Sequence, residues 1–123
     1  DKHNILEATM EAMHMALRSL KTTPSNILVD GTQFKNFHSI THECVVKGDQ
    51  KYMNIAAASI IAKVMRDKYI FDLCSNDFEL QNKYALETNM GYGTKKHMDG
   101  IKNFGICKHH RKSFHPCKKY VFN

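Results

Sequence analysis

The first twenty residues place apolar side chains at intervals of three and four positions, which predicts an amphipathic helix. The expected apolar face consists of Ile5, Leu6, Thr9, Met13, Ala16, Leu17 and Leu20. Asn4, followed three positions later by Glu7, has the form of a helix-capping box. The Thr-Thr-Pro-Ser run at residues 22–25 is expected to end this helix.

Two continuous apolar runs, at residues 27–29 and 44–46, predict short buried strands. Strands of this kind mixed with helices are typical of an α/β protein with a parallel or mixed sheet. The segment between the two runs is near the minimum length for a parallel crossover. We therefore expect these strands to be neighbours in one sheet, with their carboxyl ends at the same edge.

The longest helical pattern covers residues 55–73, and Asn54 is its expected N-cap. Its apolar side chains cover more than one face, so we expect this helix to be largely buried. Residues 73–86 predict one or two further short helices.

Two glycines make residues 90–94 a loop, Met-Gly-Tyr-Gly-Thr. Thr94 is then the expected N-cap of a helix that runs through Phe104, and Gly105 is expected to end it. The tail from residue 106 to 123 is basic and aromatic. No repeat or linker interrupts the chain, so residues 1–123 are expected to form a single domain.

The formal net charge of the 123 residues is +6 with the eight histidines neutral. This excess favours a polyanionic partner, most commonly nucleic acid, although a basic protein without such a partner is the alternative. No apolar run approaches the roughly 18 residues of a membrane span, and the N-terminus lacks a secretory pattern. We expect an intracellular, cytoplasmic protein whose four cysteines are free thiols.

An aspartate lies at the end of each predicted strand, Asp30 before Gly31 and Asp49 after Gly48. If the strands are parallel neighbours, the two carboxylates converge at one sheet edge, where α/β proteins form their sites. Carboxylate oxygens suit Mg²⁺, but two acids are few for a two-metal centre. The alternative is that each Asp and Gly pair serves only as a turn.

Six segments, read in order, resemble the ribonuclease HII family: NILEATMEAM, ILVDG, VVKGD, AAASIIAKVMRD, MGYGTKKH and HHRKSFHPCK. The resemblance extends from about residue 4 to residue 118. It implies a ribonuclease H-like α/β fold, with a mixed sheet flanked by helices. It also implies endonucleolytic hydrolysis of RNA in RNA–DNA hybrids and at ribonucleotides embedded in duplex DNA, leaving 5′-phosphates.

The resemblance also assigns roles to particular residues. Asp30 and Asp49 match catalytic aspartates that bind two divalent ions, Mg²⁺ or Mn²⁺. Tyr92 matches the tyrosine that packs against the ribonucleotide sugar and helps to sense its 2′-hydroxyl group. The positions expected to contact substrate phosphates are Lys47, Ser59, Lys63 and Arg111, together with Lys95 and Lys96.

One departure from the family pattern is large, since this chain contains no DEAGRG segment. In the family that segment supplies further acidic ligands from the first strand, and Asp1 does not replace it. We therefore expect the C-terminal portion of a catalytic domain, with an incomplete sheet and little activity of its own. Its partner would then be the missing N-terminal segment, and otherwise a monomer is expected.

Two other interpretations concern the histidines. The tail contains a cluster that could bind zinc in a non-catalytic nucleic-acid-binding module: Cys107, His109, His110, His115 and Cys117. Separately, His97 follows the Gly-Tyr-Gly-Thr loop on a predicted helix and could transfer a proton in the site.

Overall fold

The computed structural model describes residues 4–121, so Asp1 and the last two residues of the basic tail lie outside the described residues. The chain divides into two compact units, with the boundary between Ala62 and Lys63. We call them the N-terminal unit and the C-terminal unit. Along the chain, helices precede and follow a pair of parallel strands, which confirms the α/β class.

Helix α1, Ile5–Arg18, begins at the predicted cap, where the Asn4 side chain accepts a hydrogen bond from the Glu7 amide at 2.9 Å. Met10 of this helix is buried. Met13 and Leu17 of the predicted face are partly buried against the sheet.

The apolar face of α1 is narrower than the sequence predicted. Ile5 and Leu6 are about half exposed, and Leu20, also about half exposed, lies beyond the end of α1. The residues of this face that pack on the sheet are Met13 and Leu17, four positions apart, and they cover a narrower arc of the helix.

The two strands are β1, Asn26–Asp30, and β2, Thr41–Val45. They pair in parallel, from Asn26 opposite Thr41 to Asp30 opposite Val45, which confirms the predicted pairing. The second strand was expected at residues 44–46, but it begins earlier and ends at Val45. Val46 is half exposed because it follows the last paired residue.

The core of the N-terminal unit lies on one side of this strand pair. Ile27, Val29 and Phe37 are buried there. The alternating burial along β1 matches a strand with one covered face rather than the two covered faces that were expected.

A short helix, α2, covers Gly48–Lys51, and the long helix α3 covers Met53–Asn76. Asn54 lies inside α3, so its assignment as the N-cap was wrong. The Ala56 amide already donates to the Tyr52 carbonyl at 3.0 Å, which extends helical bonding upstream of Asn54.

The expectation that α3 is largely buried was also wrong for this chain. Its large apolar side chains at Ile60, Ile61, Val64, Met65, Tyr69 and Phe71 are each more than half exposed. Its buried and partly buried apolar side chains lie towards the two ends of the helix, at Ile55 and from Ile70 to Cys74.

The C-terminal unit continues with α4, Phe78–Tyr84, α5, Leu86–Asn89, and α6, Lys95–Phe104. A 3₁₀ turn at Cys117–Tyr120 closes the described chain. The core residues that these elements bury are Cys74, Leu80, Tyr84, Leu86, Ile101 and Cys117. Thr94 caps α6 by accepting from the His97 amide, and Gly105 ends it, as predicted.

Helices α4 and α6 pack closely through Gly100. A methyl group added there would overlap the carbonyl group of Lys83. Glycine is therefore needed at this position for the approach of two backbones rather than for its conformational freedom.

Within residues 4–121, no helix is both long enough and apolar enough to cross a membrane.

Candidate active site

The two predicted catalytic aspartates lie in the N-terminal unit, near the carboxyl ends of β1 and β2. Asp30 is the last residue of β1, and its Oδ1 accepts a hydrogen bond from the Gly48 amide at 3.0 Å. Asp49 follows Gly48 directly, as the second residue of α2. Both aspartates are exposed to solvent. Parallel pairing and this hydrogen bond therefore bring the two acids into one neighbourhood.

Local backbone geometry makes the approach of these segments possible. Lys47 adopts left-handed φ and ψ angles of 53° and 45°, which turn the chain from β2 into α2. A side chain at Gly48 would meet Ile55, and the Asp30 Cα atom would lie only 3.5 Å from its Cβ. Gly48 thus allows the loop to close over the end of β1.

The donor chemistry of this site suits a hard divalent cation, because the exposed acids offer carboxylate oxygens. Among residues 4–121, however, no three His, Cys, Asp or Glu side chains are grouped so that they could hold a metal ion. Asp30 and Asp49 would therefore hold a cation only together with further oxygen ligands.

The other residues expected to contact phosphates are Lys47, which precedes Gly48, and Ser59 and Lys63 of α3. All three are exposed. Ser59 and Lys63 lie one turn apart on α3, and the Ser59 hydroxyl group donates to the Ile55 carbonyl at 2.9 Å.

Tyr92 lies in the C-terminal unit, on the loop predicted at residues 90–94. Its side chain is 65% exposed, while its backbone is held at both ends. The Tyr92 amide donates to the Asn89 carbonyl at 2.9 Å, and the Thr94 amide donates to the Tyr92 carbonyl at 2.9 Å. The result is an exposed phenol on a rigid loop.

Arg66 of α3 contacts the same loop. It donates a hydrogen bond to the Met90 carbonyl at 2.7 Å, and its guanidinium carbon lies 5.6 Å from the centre of the Tyr92 ring. Sequence reasoning missed Arg66, because the contact spans 24 residues and no local pattern indicates it.

Tyr92 and Arg111 line the same cavity of about 370 Å³ in the C-terminal unit. The guanidinium carbon of Arg111 lies 5.0 Å from the centre of the Phe114 ring, and this cation–π contact orients the guanidinium group. Two residues predicted to bind substrate, 19 positions apart in sequence, thus line one cleft.

His97 is buried, and both of its ring nitrogens contact protein groups. Nδ1 lies 2.8 Å from the Tyr92 carbonyl oxygen, and Nε2 lies 2.9 Å from Nε2 of His110. These contacts do not favour the predicted proton-transfer role, because no ring nitrogen of His97 is left for a substrate. The His97–His110 contact itself was not predicted, since nothing in the local sequence indicates it.

The zinc interpretation gains no support from the part of the chain that is described, where no three potential ligands are grouped around a metal position. Cys117 is buried in the core, and burial raises the pKa of its thiol. His110 also uses its second ring nitrogen, because Nδ1 accepts from the Cys107 amide at 2.9 Å.

The sequence matches the family model for ribonuclease HII over residues 1–118. A ribonuclease HII of Christiangramia forsetii is 49% identical over 114 residues, which are 93% of this chain and 56% of that protein. A ribonuclease HII of Pelagibacter ubique is 51% identical over 116 residues, covering 94% of this chain and 60% of that protein. One from Staphylococcus saprophyticus is 44% identical over 121 residues, 98% of this chain and 45% of that protein.

The chain thus spans little more than half the length of the first two relatives. Its α/β structure, with a parallel strand pair and flanking helices, is consistent with a ribonuclease H-like fold. The match covers nearly the whole chain, including both aspartates and the Tyr92 loop. The chain belongs to the ribonuclease HII family.

Proposed function

We propose that this chain is part of an endonuclease that hydrolyses RNA in RNA–DNA hybrids and at single ribonucleotides embedded in duplex DNA. The observation that carries the proposal is the hydrogen bond from the Gly48 amide to Asp30, which brings Asp49 beside Asp30 at the strand ends. Membership of the ribonuclease HII family supports the same chemistry.

In this proposal Asp30 and Asp49 are the catalytic, metal-binding residues, and the ions are Mg²⁺ or Mn²⁺. Bound divalent ions would supply activation of water and stabilisation of the leaving oxygen. Asp30 has a second task, because its bond to Gly48 holds α2 against the end of β1. Both carboxylates remain exposed, so a phosphodiester can approach them.

Recognition of the ribonucleotide is assigned to the Tyr92 loop. The exposed phenol offers a flat surface for a sugar, and the 2′-hydroxyl group is the feature that separates RNA from DNA at one nucleotide. Arg111 lines the cleft beside Tyr92 and would bind a backbone phosphate.

Exposed lysine and serine side chains that do not line the cleft would bind phosphates along the duplex. Lys47, Ser59 and Lys63 are exposed, and they present ammonium and hydroxyl groups suited to phosphate oxygens. Contacts of this kind position a duplex without reading its sequence.

We further propose that residues 1–123 form the C-terminal portion of one catalytic domain. The rest of that domain would supply the additional metal ligands and cover the exposed apolar side chains of α3. On this proposal the isolated chain should cleave a ribonucleotide-containing duplex only weakly in the presence of Mn²⁺. Vigorous turnover by the isolated chain would contradict this part of the proposal.

The catalytic assignment is tested by grafting the chain into the Christiangramia forsetii protein in place of its 114 matching residues. The chimera should cleave a duplex that contains one ribonucleotide. Asp30→Asn or Asp49→Asn should each lower the rate by at least about a hundredfold, because a metal ligand is lost. Glu43→Gln, an exposed acid on β2, is the matched control and should leave the rate unchanged. Equal rates for all variants would refute the assignment.

A further inference from the structure

Two histidines of the C-terminal unit are joined by a direct hydrogen bond between their rings. The Nε2 atoms of His97 and His110 are 2.9 Å apart. Two imidazole nitrogens can share such a bond only when one carries a hydrogen and the other is bare. The contacts of the two Nδ1 atoms determine which Nε2 carries the hydrogen.

The outer nitrogen of His97, Nδ1, lies 2.8 Å from the Tyr92 carbonyl oxygen. A carbonyl oxygen can only accept, so Nδ1 of His97 carries the hydrogen and Nε2 of the neutral ring is bare. The outer nitrogen of His110 faces the Cys107 amide, which can only donate. Nδ1 of His110 is therefore bare, and its Nε2 carries the hydrogen.

The donors thus form one directional chain. The Cys107 amide donates to His110, His110 donates to His97, and His97 donates to the carbonyl oxygen of Tyr92. His97 is therefore the Nδ1–H tautomer and His110 the Nε2–H tautomer. Each N–H group faces an acceptor, and each bare nitrogen faces a donor. This agreement among three independent contacts is the basis of the inference.

The three hydrogen bonds of this chain are partly buried. His97 is only 6% exposed, and the Tyr84 ring packs against both imidazoles with ring centres 5.9 and 4.7 Å away. Tyr84 is itself fixed, since its hydroxyl group donates to the Gly105 carbonyl at 2.9 Å. Burial also lowers the pKa of His110, which favours the neutral ring that the geometry requires.

The chain of hydrogen bonds ends at the backbone of the residue whose ring is exposed in the cleft. The Tyr92 carbonyl oxygen accepts from both His97 and the Thr94 amide, so its position is set from two directions. We propose that His97 and His110 are positioning residues, a pair of neutral imidazoles that fixes the Tyr92 backbone and thereby presents its phenol in the cleft.

The consequence for substrate rests on the proposed function, in which Tyr92 senses the ribonucleotide sugar. The pair itself does not depend on that role. Protonation of His97 at Nε2, or of His110 at Nδ1, would place two N–H groups against each other and break the chain of bonds. The titratable and charged groups around the pair are Arg66, Tyr84, Cys107, His109, Arg111, His115 and Cys117.

The first test uses the 123-residue chain and needs no enzymatic activity. Nitrogen-15 NMR of the imidazoles at pH 8 should show His97 protonated at Nδ1 and His110 protonated at Nε2. Solvated neutral histidines favour the Nε2 form, so an Nδ1-protonated His97 would show that its hydrogen bond to the Tyr92 carbonyl is present in solution. An Nε2-protonated His97 would overturn the proposal.

The second test measures amide hydrogen exchange in the Tyr92 loop. In His110→Phe the bond to His97 is lost while the aromatic volume is kept, and exchange at Tyr92 and Thr94 should accelerate by about tenfold. His42→Phe, at a half-buried histidine of β2, is the matched control and should leave these amides unchanged. Unchanged exchange in His110→Phe would overturn the proposal.

A third measurement separates this proposal from the function on which its consequence rests. Affinity is compared for two duplexes of one sequence, with and without a single ribonucleotide. Discrimination that falls in His110→Phe and in Tyr92→Ala supports positioning for recognition. Equal affinity of the unaltered chain for both duplexes would refute the proposed role of Tyr92. In that case the tautomers and the amide exchange rates would still decide whether the histidine pair positions the loop.

Discussion

Asp30 combines a structural role and a charge on one side chain, and the two can be separated by substitution. Its Oδ1 accepts the Gly48 amide at 3.0 Å. Asp30→Asn keeps an oxygen acceptor at this position, so the free energy of unfolding should change by less than about 0.5 kcal/mol. Asp30→Ala removes the acceptor and should cost about 1 kcal/mol. Urea unfolding of the two variants measures the difference, and equal stabilities would show that the bond contributes little.

His110 should make stability depend on pH. Burial lowers the pKa of His110 below its ordinary value of 6.5, and His97 and His109 lower it further. In this pH range the unfolded chain binds more protons than the folded chain, so the free energy of unfolding falls as the pH falls. The loss begins near pH 6.5 and continues downward to the folded pKa. Urea unfolding at pH 7.5 and at pH 5.5 measures it.

The matched comparison for this pH effect is His110→Phe. The variant lacks the titrating ring, so its stability should fall less between pH 7.5 and pH 5.5 than that of the unaltered chain. His42→Phe should keep the full pH dependence. The same slope in all three proteins would contradict the assignment to His110.

At the residue scale, the predictions that succeeded depend on neighbours in sequence. Asn4 and Thr94 cap helices through bonds to an amide three positions later, and such a pattern is visible in a linear sequence. The His97–His110 bond joins residues 13 positions apart, and its geometry depends on the packing of Tyr84 against both rings. No sequence pattern carries that information.

At the scale of elements, the close packing of α4 against α6 predicts how a substitution at Gly100 changes stability. Alanine in place of glycine normally stabilises a helix by about 1 kcal/mol. Here the added methyl group would overlap the Lys83 carbonyl group, so the helices must separate. We expect Gly100→Ala to destabilise the chain by a net of about 1–3 kcal/mol. Thermal unfolding measures the change.

Gly93→Ala is the matched control, because a methyl group there would meet nothing closer than Met98 at 3.9 Å. It should unfold near the temperature of the unaltered chain. A Gly100→Ala variant as stable as this control would show that α4 and α6 do not pack as closely as described.

The exposure of α3 leads to a second prediction at this scale. Ile61 of α3 is 64% exposed, whereas Ile101 of α6 is 2% exposed. Ile101→Ala should cost about 2–5 kcal/mol. Ile61→Ala should change the stability of the isolated chain by less than about 0.5 kcal/mol. Urea unfolding distinguishes these values, and a large cost at Ile61 would mean that α3 is covered in solution.

The errors at the element scale share a physical cause. An apolar pattern reports which side chains favour burial, but not whether a neighbour is present to bury them. Residues 55–73 carry such a pattern on several faces, yet the buried apolar side chains of α3 lie only towards its ends. For β2, the pairing with β1 sets the strand at Thr41–Val45, whereas the apolar run alone pointed to residues 44–46.

For the whole molecule, the net charge of +6 predicts binding to duplexes that weakens strongly with salt. Lys95 and Lys96 are informative because they occupy the first turn of α6, where no acidic residue is present. Positive charge at a helix N-terminus opposes the helix dipole, so these lysines do not stabilise α6. Under the proposed function, these two lysines would bind phosphates of the duplex.

Replacing both lysines with glutamine should therefore separate binding from stability. The unfolding temperature should stay the same or rise, because an unfavourable dipole interaction is removed. Affinity for a ribonucleotide-containing duplex should fall, and the slope of log affinity against log salt should decrease by about 2, close to one for each lost phosphate contact. Fluorescence anisotropy from 50 to 200 mM salt measures the slope. The double variant Lys21→Gln and Lys35→Gln removes the same charge from exposed positions in the N-terminal unit. If both double variants reduce the slope equally, general charge rather than contact at the start of α6 determines binding.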